Sequence, residues 1–150
     1  MNAATGDAPR PDLAAMVVPL GRALMAAEQP VLDAHGLSMW GYVVLSALGD
    51  TALRTQAALA AAISADKTRI IAVLDDLESR ELLARRPDPK DRRARLLSLT
   101  PEGRRLRDSV RDEIQQREES WLGQLADADR ESFLRSLRTL SEVSRRSPER

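Results

Sequence analysis

The sequence predicts a mainly α-helical protein with one small β-hairpin. Good helix formers dominate its composition, since Ala, Leu and Arg are abundant and aromatic residues make up only 3%. Apolar residues recur at helical spacing along most of the chain. The exception is residues 82–99, where two short apolar segments flank a turn that is rich in proline and aspartate.

The composition limits the functions that the chain can have. At 150 residues, 43% of them apolar and 31% charged, it is expected to form one globular domain. It has no cysteine and a single histidine, His35, which argues against disulfides, thiol chemistry and a histidine-based zinc site. We therefore expect no metal, no cofactor and no enzymatic activity. No apolar run is long enough to span a membrane and no signal peptide is recognisable, so a cytoplasmic protein is expected.

The first predicted helix covers residues 12–34 and has a broad apolar face, although it contains Pro19 and Pro30. Because proline lacks a backbone donor, we expect a kink or a late start near Pro19 and an irregular end near Pro30. Gly36 is expected to end this helix, and Ser38 is expected to cap the second one.

Two further helices are predicted to form a helix-turn-helix. Thr55 caps a short Ala-rich helix, and Asp66 caps a longer one after a turn of three residues. Apolar residues of the longer helix recur at i, i+3, i+4 and i+7 and form one stripe: Ile70, Val73, Leu74 and Leu77. Its opposite face and its first turn are polar. Two short helices with a tight turn and a polar N-terminal face on the second are typical of this motif.

The hairpin follows directly on the second helix of that motif, which is the position of a wing. Residues 82–84 and 95–99 have the pattern of two strands, and RPDPKDRRA between them contains two prolines and two aspartates. Residues 85–107 carry nine basic and three acidic side chains in a chain of zero net charge. Such a cluster suits a polyanion, although a solvated basic loop is the alternative.

Two more helices complete the predicted domain. Thr100-Pro101 is a strong helix start, and this helix is expected to run to about Trp121. Asp127 is expected to cap the last helix. We predict a flexible tail at residues 1–10 and a single domain over residues 11–146.

The first helix and the last two have more apolar positions than one small core can bury, which predicts a bundle between two copies of the chain. The central lobe, about 38–100, would then lie between dimerisation helices at about 12–34 and 101–146. A larger monomeric core is the alternative. The predicted intersubunit residues are Leu13, Met16, Val17, Ile114, Trp121, Phe133, Leu137 and Leu140.

A helix-turn-helix with a basic wing suits double-stranded DNA. An α-helix fits the major groove, and the side chains near its N-terminus contact base edges, here Lys67, Thr68 and Arg69. A wing-tip arginine suits a narrow minor groove. Asp91 is expected to organise the wing turn, because a carboxylate facing phosphate would be repelled. Only the first turns of the helix can face DNA, because its second half is acidic.

Residues 66–106 resemble the MarR-type (multiple antibiotic resistance regulator) winged-helix transcription factors, and the resemblance covers about residues 13–145. It is carried by the pattern D-P-x-D-R-R in the wing, followed by L-T-x-x-G. The resemblance implies that Lys67, Thr68 and Arg69 recognise bases and that Arg93 enters the minor groove. It also implies that Asp91 is the partner of Arg93 within the loop. The phosphate contacts that it implies are Arg92 and Arg95. The chain departs from the family where Ala72 replaces a common basic residue and where Glu81 replaces a common glycine.

The resemblance further implies a homodimeric regulator, usually a repressor, that binds a palindromic operator. Family members often release DNA when a small aromatic acid, phenol or drug binds between the dimer bundle and the DNA-binding lobe. The candidate pocket residues are His35, Trp40 and Tyr42; the alternative is that Trp40 and Tyr42 are core side chains and that His35 lies at a surface helix end. The alternative for the whole chain is a winged-helix protein-interaction module without specific DNA binding.

Overall fold

A computed structural model describes residues 9–49 and 54–146, apart from the side chains of Arg54 and Lys67. These residues form six helices and a small sheet, so the predicted mainly α-helical winged helix-turn-helix is confirmed. The helices are α1 (Leu13–Ala34), α2 (Met39–Leu48), α3 (Gln56–Ala62), α4 (Lys67–Ser79), α5 (Pro101–Leu122) and α6 (Asp127–Arg146). The strands are β1 (Arg54–Thr55), β2 (Leu83–Pro87) and β3 (Arg95–Leu99). Most of the predicted N-terminal tail, residues 1–8, lies outside the described part of the chain.

The sheet is antiparallel and has the order β1-β3-β2. Leu83 faces Leu99 and Pro87 faces Arg95, so the strands of the wing pair over five residues. The predicted first strand, 82–84, was wrong at both ends. Leu82 belongs to the turn after α4, where its N–H donates to the carbonyl oxygen of Leu77 at 2.9 Å. The strand instead continues through the charged residues up to Pro87, because β3 supplies its backbone partners.

α1 runs without a break through both of its prolines. A kink or a late start was expected near Pro19, and the late start was wrong, because the helix begins at Leu13. The expected irregular end near Pro30 was also wrong, since the helix continues to Ala34 and buries Val31 and Leu32. Pro30 has no backbone N–H and therefore cannot donate a helical hydrogen bond. Burial of Val31 and Leu32 in the core stabilises the helix despite this missing hydrogen bond.

Side-chain caps fix the starts of the four helices that carry or support the wing and the helix-turn-helix. Each cap accepts a hydrogen bond from a backbone N–H of the first turn, and the capping residues are Ser38, Thr55, Asp66 and Thr100. Asp127 is the first residue of α6 and not its cap, because the Ala126 carbonyl oxygen accepts the first hydrogen bond of that helix, from Arg130.

The core lies among α1 to α5 and the sheet. Ile70, Leu74 and Leu77 of α4 are buried in it, as their spacing predicts. Ile114 was expected between two copies of the chain, and this is corrected by the structure. Its side chain is only 4% exposed and packs with Val110 in the core of one protomer.

Helix α6 contributes no buried residue to the protomer. Its apolar side chains and those at the start of α1 are exposed although they are large. The exposed apolar residues of these two helices are Leu13, Met16, Val17, Val18, Leu20, Met25, Phe133, Leu134, Leu137, Leu140 and Val143.

Candidate nucleic-acid interface

The start of α4 presents polar side chains on a firmly anchored helix. Asp66 accepts a hydrogen bond from the backbone N–H of Thr68 at 2.8 Å, and Ile70 is buried one turn further on. Thr68 and Arg69 are exposed. Lys67 is the first residue of the helix, and its side chain lies outside the described atoms.

The Arg69 guanidinium lies over the ring of Trp40, a residue that was predicted to line an effector pocket. Its guanidinium carbon lies 5.4 Å from the centre of the Trp40 ring, which is within cation–π range. Trp40 is the second residue of α2 and is half-buried. The contact therefore joins a predicted DNA-contacting residue to a residue that was predicted for an effector pocket.

Arginine side chains neutralise much of the acidic second half of α4. Arg85 of β2 lies 2.6 Å from the Asp75 carboxylate and 3.4 Å from that of Glu78. Arg80 lies 3.7 Å from the Asp76 carboxylate. The carboxylates of these pairs are exposed to solvent, which weakens the pairs, but the arginines reduce the negative charge beside the polar face of α4.

The far end of α4 is tied to the turn between α1 and α2. The Arg80 guanidinium donates to the carbonyl oxygens of Gly36, at 2.7 Å, and His35, at 3.3 Å. Gly36 has a φ of +60°, a left-handed conformation that glycine adopts without strain. The helix is thus anchored at its start by its own cap and at its end by this turn.

Two aspartates shape the turn of the wing. The Asp91 carboxylate accepts a hydrogen bond from the backbone N–H of Arg93 at 3.0 Å, and the Asp88 carboxylate accepts one from the N–H of Lys90 at 2.9 Å. The N–H of Asp88 donates to the carbonyl oxygen of Ala94 across the turn. Asp91 therefore organises the turn, because its carboxylate binds the backbone N–H of Arg93.

Most cations of the wing are exposed and free of carboxylates. Within the described part of the chain, no ion pair is formed by the side chains of Arg86, Lys90, Arg92, Arg93 and Arg95. Arg105 and Arg107 on α5, in contrast, are paired with Glu102 and Asp108. The wing therefore keeps a positive charge that the rest of the basic segment partly loses.

The wing and α4 share one surface. A groove of about 540 Å³ is lined by Arg93 and Arg95 of the wing, by Gln56 of α3 and by Ile71 of α4. The Ile71 side chain is 44% exposed. Ile71 was not among the predicted contact residues, although its position outside the buried stripe of α4 is a signal that could have identified it.

The three candidate pocket residues do not lie together. His35 Nε2 lies 2.8 Å from a carboxylate oxygen of Glu113 on α5. Burial raises the pKa of the Tyr42 phenol, which a hydrogen bond to Ser46 partly counteracts. Residues 40 and 42 point about 200° apart on a helix, so Trp40 faces α4 whereas Tyr42 faces the α1 and α5 side.

Two half-buried carboxyl groups lie on that α1 and α5 side. Burial raises the pKa of Glu28, and the negative charge of Glu118 raises it further. Burial also raises the pKa of Glu118, with a further contribution from the charge of Glu119. These acids therefore lie close to Tyr42, whose phenol is influenced by both charges.

The L-T-x-x-G segment joins the wing to α5. The Thr100 hydroxyl donates to the carbonyl oxygen of Glu81 at 2.6 Å and accepts from the N–H of Gly103 at 3.0 Å. Glu81 has a φ of +58°, which explains why glycine is common at this position in the family that the sequence resembles. The turn forms with glutamate because these hydrogen bonds hold it.

Other kinds of site find little support in the described residues. They contain no group of three or more His, Asp or Glu side chains that could hold a metal ion. Taken singly, none of the described helices has the length and apolar character needed to cross a membrane, although α1 and α2 together, bent by 88°, meet the length and composition criteria.

Known proteins resemble this chain over most of its length. Residues 35–94 match the MarR family. The transcriptional regulator HosA of Escherichia coli O111:H- is 30% identical over 99 residues, which cover 66% of this chain and 73% of HosA. The HTH-type transcriptional repressor NicR of Pseudomonas putida is 34% identical over 99 residues, 66% of this chain and 63% of NicR.

A solved structure extends the likeness to the fold. BpsR of Bordetella bronchiseptica, whose DNA binding is regulated by 6-hydroxynicotinic acid, is 28% identical with a TM-score of 0.73, covering 89% of this chain and 98% of BpsR. HosA and NicR are regulators and not enzymes, which favours a non-enzymatic role. From its sequence, its wing and its fold, the chain belongs to the MarR family of transcriptional regulators.

Proposed function

We propose that the protein is a sequence-specific regulator of transcription that binds double-stranded DNA as a homodimer and represses from a palindromic operator. The observation that carries this proposal is the set of exposed wing cations without ion pairs in the described residues, which lie beside α4, whose Ile71 lines the same groove as Arg93 and Arg95. A positive surface of this kind binds phosphate by releasing counterions, and a helix beside it can enter the major groove.

The start of α4 supplies the base contacts in this proposal. Thr68 and Arg69 enter the major groove together with Lys67, and Arg69 can donate two hydrogen bonds to one guanine. Ile71 and Ala72 are exposed on the same helix and suit the methyl groups of thymine. An apolar contact at Ala72 would replace the phosphate or base contact that a basic residue makes in many family members.

The wing supplies contacts to phosphate and to the minor groove. Arg93 follows Asp91, whose carboxylate fixes the backbone from which the arginine side chain extends. Arg92 and Arg95 flank it and are placed for phosphate contacts. Arg85 contributes indirectly, because its pairing with Asp75 removes a repulsion between α4 and the DNA backbone.

The dimer explains the exposed apolar faces of α1 and α6. Exposed large apolar side chains that recur along two helices are typical of an interface, since monomers rarely expose large apolar patches. A two-fold dimer presents two copies of α4 about one DNA turn apart, which matches a palindrome.

We further propose that DNA binding by this regulator responds to a small ligand. It is supported by BpsR, which responds to 6-hydroxynicotinic acid, and repression is supported by the name of NicR. In this chain a ligand would bind on the α1 and α5 side of α2, near Tyr42 and the His35–Glu113 pair. Trp40 is left out of this site because it stacks on Arg69. We place the regulator in the cytoplasm, where its DNA would be.

The test is selection of duplexes by the full chain from a randomised DNA library, followed by affinity measurements across a salt series. Wild type should select a palindrome. Arg93→Ala should weaken binding about tenfold or more, and the slope of log K against log salt should become shallower by about one for each phosphate that the variant no longer neutralises. Arg117→Ala, which removes the same charge from the second half of α5, is the matched control and should bind as wild type does.

The proposal fails if wild type binds duplexes weakly and without sequence preference and Arg93→Ala behaves like wild type. The wing cations would then have another role, and a protein partner of the winged helix would have to be sought.

A further inference from the structure

We propose that Trp40 is a positioning residue for DNA recognition, which holds the Arg69 guanidinium in the orientation that contacts a guanine. This inference rests on the proposed function and adds a specificity residue that lies outside the recognition helix. It starts from the stacking of Arg69 on the Trp40 ring, 5.4 Å from guanidinium carbon to ring centre.

Both partners extend from rigid helix starts. Arg69 is in the first turn of α4, where Asp66 accepts a hydrogen bond from Thr68 N–H at 2.8 Å. Trp40 is in the first turn of α2, where Ser38 accepts one from Gly41 N–H at 2.9 Å. The backbone from which each of the two side chains extends is therefore held in place by a helix cap.

Helix packing reinforces this geometry. Val44 and Leu45 of α2 and Ile70 and Leu74 of α4 are buried in one core, so the two helix starts cannot shift independently. Trp40 is half-buried, whereas Arg69 is exposed.

In the proposed complex, the Arg69 guanidinium lies with its face toward the indole, and this orientation leaves its edge available. The indole ring attracts a cation placed over its face. The N–H donors of arginine lie in the guanidinium plane, so they can still form the two parallel hydrogen bonds that guanine O6 and N7 accept. An arginine without such a contact loses side-chain conformational entropy when it binds DNA. An arginine that is already held over an aromatic ring loses less.

Within the described residues, the Arg69 side chain forms no ion pair with a carboxylate, and it makes a cation–π contact with the Trp40 ring. Arg85, in contrast, is held by two carboxylates of α4. An arginine that is oriented by an aromatic face keeps its full charge toward DNA, which an ion pair would partly cancel.

The experiment is a double-mutant cycle on DNA binding. The probes are the duplex that wild type selects from a randomised library and its single base-pair variants. The proteins are wild type, Trp40→Leu, Trp40→Phe, Arg69→Ala and the Trp40→Leu/Arg69→Ala double variant, each checked by thermal melting.

We expect Trp40→Leu to weaken binding about three- to tenfold, the range of a cation–π contact. The loss should fall on discrimination at one G·C pair in each half-site, the same pair that Arg69→Ala affects. Trp40→Phe should recover part of it, because phenylalanine is a weaker cation–π partner. In the Arg69→Ala background, Trp40→Leu should weaken DNA binding no further. Because Trp40 carries no charge, Trp40→Leu should also leave the slope of log K against log salt unchanged.

Each other result overturns the inference in a recognisable way. If Trp40→Leu weakens all duplexes equally, or does so in the Arg69→Ala background as well, Trp40 has a general structural role. If Arg69→Ala binds as wild type does, the inference fails while the wing-based function stands. If wild type has no sequence preference, both fail. Should Trp40→Leu not fold, the cycle is run with Trp40→Phe and Trp40→Phe/Arg69→Ala, and a loss of binding that is smaller but still absent in the Arg69→Ala background is required.

Discussion

Gly103 of α5 and the carbonyl group of Leu82 approach each other so closely that a Cβ atom on Gly103 would lie 1.9 Å from the Leu82 oxygen. The contact joins the start of α5 to the turn between α4 and the wing. The backbone N–H of Thr100 donates to the same Leu82 oxygen at 3.2 Å. The glycine of the L-T-x-x-G pattern is thus required for close approach and not for an unusual backbone angle.

Gly103→Ala should destabilise the protein, because the added methyl group can be accommodated only if the backbone moves. We expect the free energy of unfolding to fall by about 1–3 kcal/mol or more, measured by denaturant unfolding. Gly21→Ala is the matched control, since no atom lies within 4 Å of a Cβ built there and alanine favours the helix. Equal stability of Gly103→Ala and wild type would contradict this account of the motif.

Glu81→Gly should stabilise the protein. At a φ of +58°, glutamate has a left-handed conformation that costs a residue with a Cβ roughly 1–2 kcal/mol, and glycine avoids this cost. Glycine also gives the unfolded chain more freedom, so the net gain should be up to about 1 kcal/mol in the free energy of unfolding. Glu81→Ala removes the same carboxylate but keeps the Cβ. If alanine stabilises as much as glycine does, charge and not backbone strain is responsible.

The parts of the fold that the sequence predicts well depend on local signals. The caps at Ser38 and Asp66 are local, and so is the spacing that buries Ile70 and Leu74. The parts that it predicts poorly depend on distant partners. β2 extends to Pro87 because β3 pairs with it, and the two-residue strand β1 exists only through its pairing with Leu97 and Leu96.

The candidate site divides in the same way. The position of the wing cations beside α4 follows from the order of elements, which the sequence predicts. The contact between Trp40 and Arg69 depends on how α2 packs on α4, and no sequence pattern encodes it. Ile114 was assigned to the interface because an apolar residue on α5 indicates burial but not which molecule buries it.

Leu140→Asp should dissociate the homodimer that we propose. The Leu140 side chain is 58% exposed on α6, so the substitution leaves the protomer core intact while it places a charge in the proposed interface. Sedimentation at a series of concentrations should show a shift from dimer toward monomer, and DNA affinity should fall with it. Arg138→Asp, which adds the same carboxylate about 200° away on the same helix, should remain dimeric. If both variants sediment as wild type does, α6 is not the interface.

The last prediction concerns the half-buried acids near Tyr42. The folded state raises the pKa of Glu28 and Glu118 above 4.5, chiefly through burial, so it binds their protons more tightly than the unfolded chain does. The stabilisation that comes from this tighter proton binding is fully present below pH 4.5, and it is lost as the pH rises through the pKa values of the two carboxyl groups in the folded state. Glu28→Gln and Glu118→Gln should therefore raise the melting temperature at neutral pH, and the gain should disappear below pH 4.5.

Glu119 provides a control of opposite sign for these two substitutions. Its hydrogen bonds from Arg130, 2.7 Å each, lower the pKa of its carboxyl group. Its contribution to stability is therefore present above 4.5 and is lost as the pH falls through the lowered value. Glu119→Gln should lower the melting temperature at neutral pH, and the difference should vanish in acid. Melting curves of all three variants across one pH series test both signs together. A lower melting temperature for Glu28→Gln at neutral pH would show that its carboxylate is stabilised by a partner, and not penalised by burial.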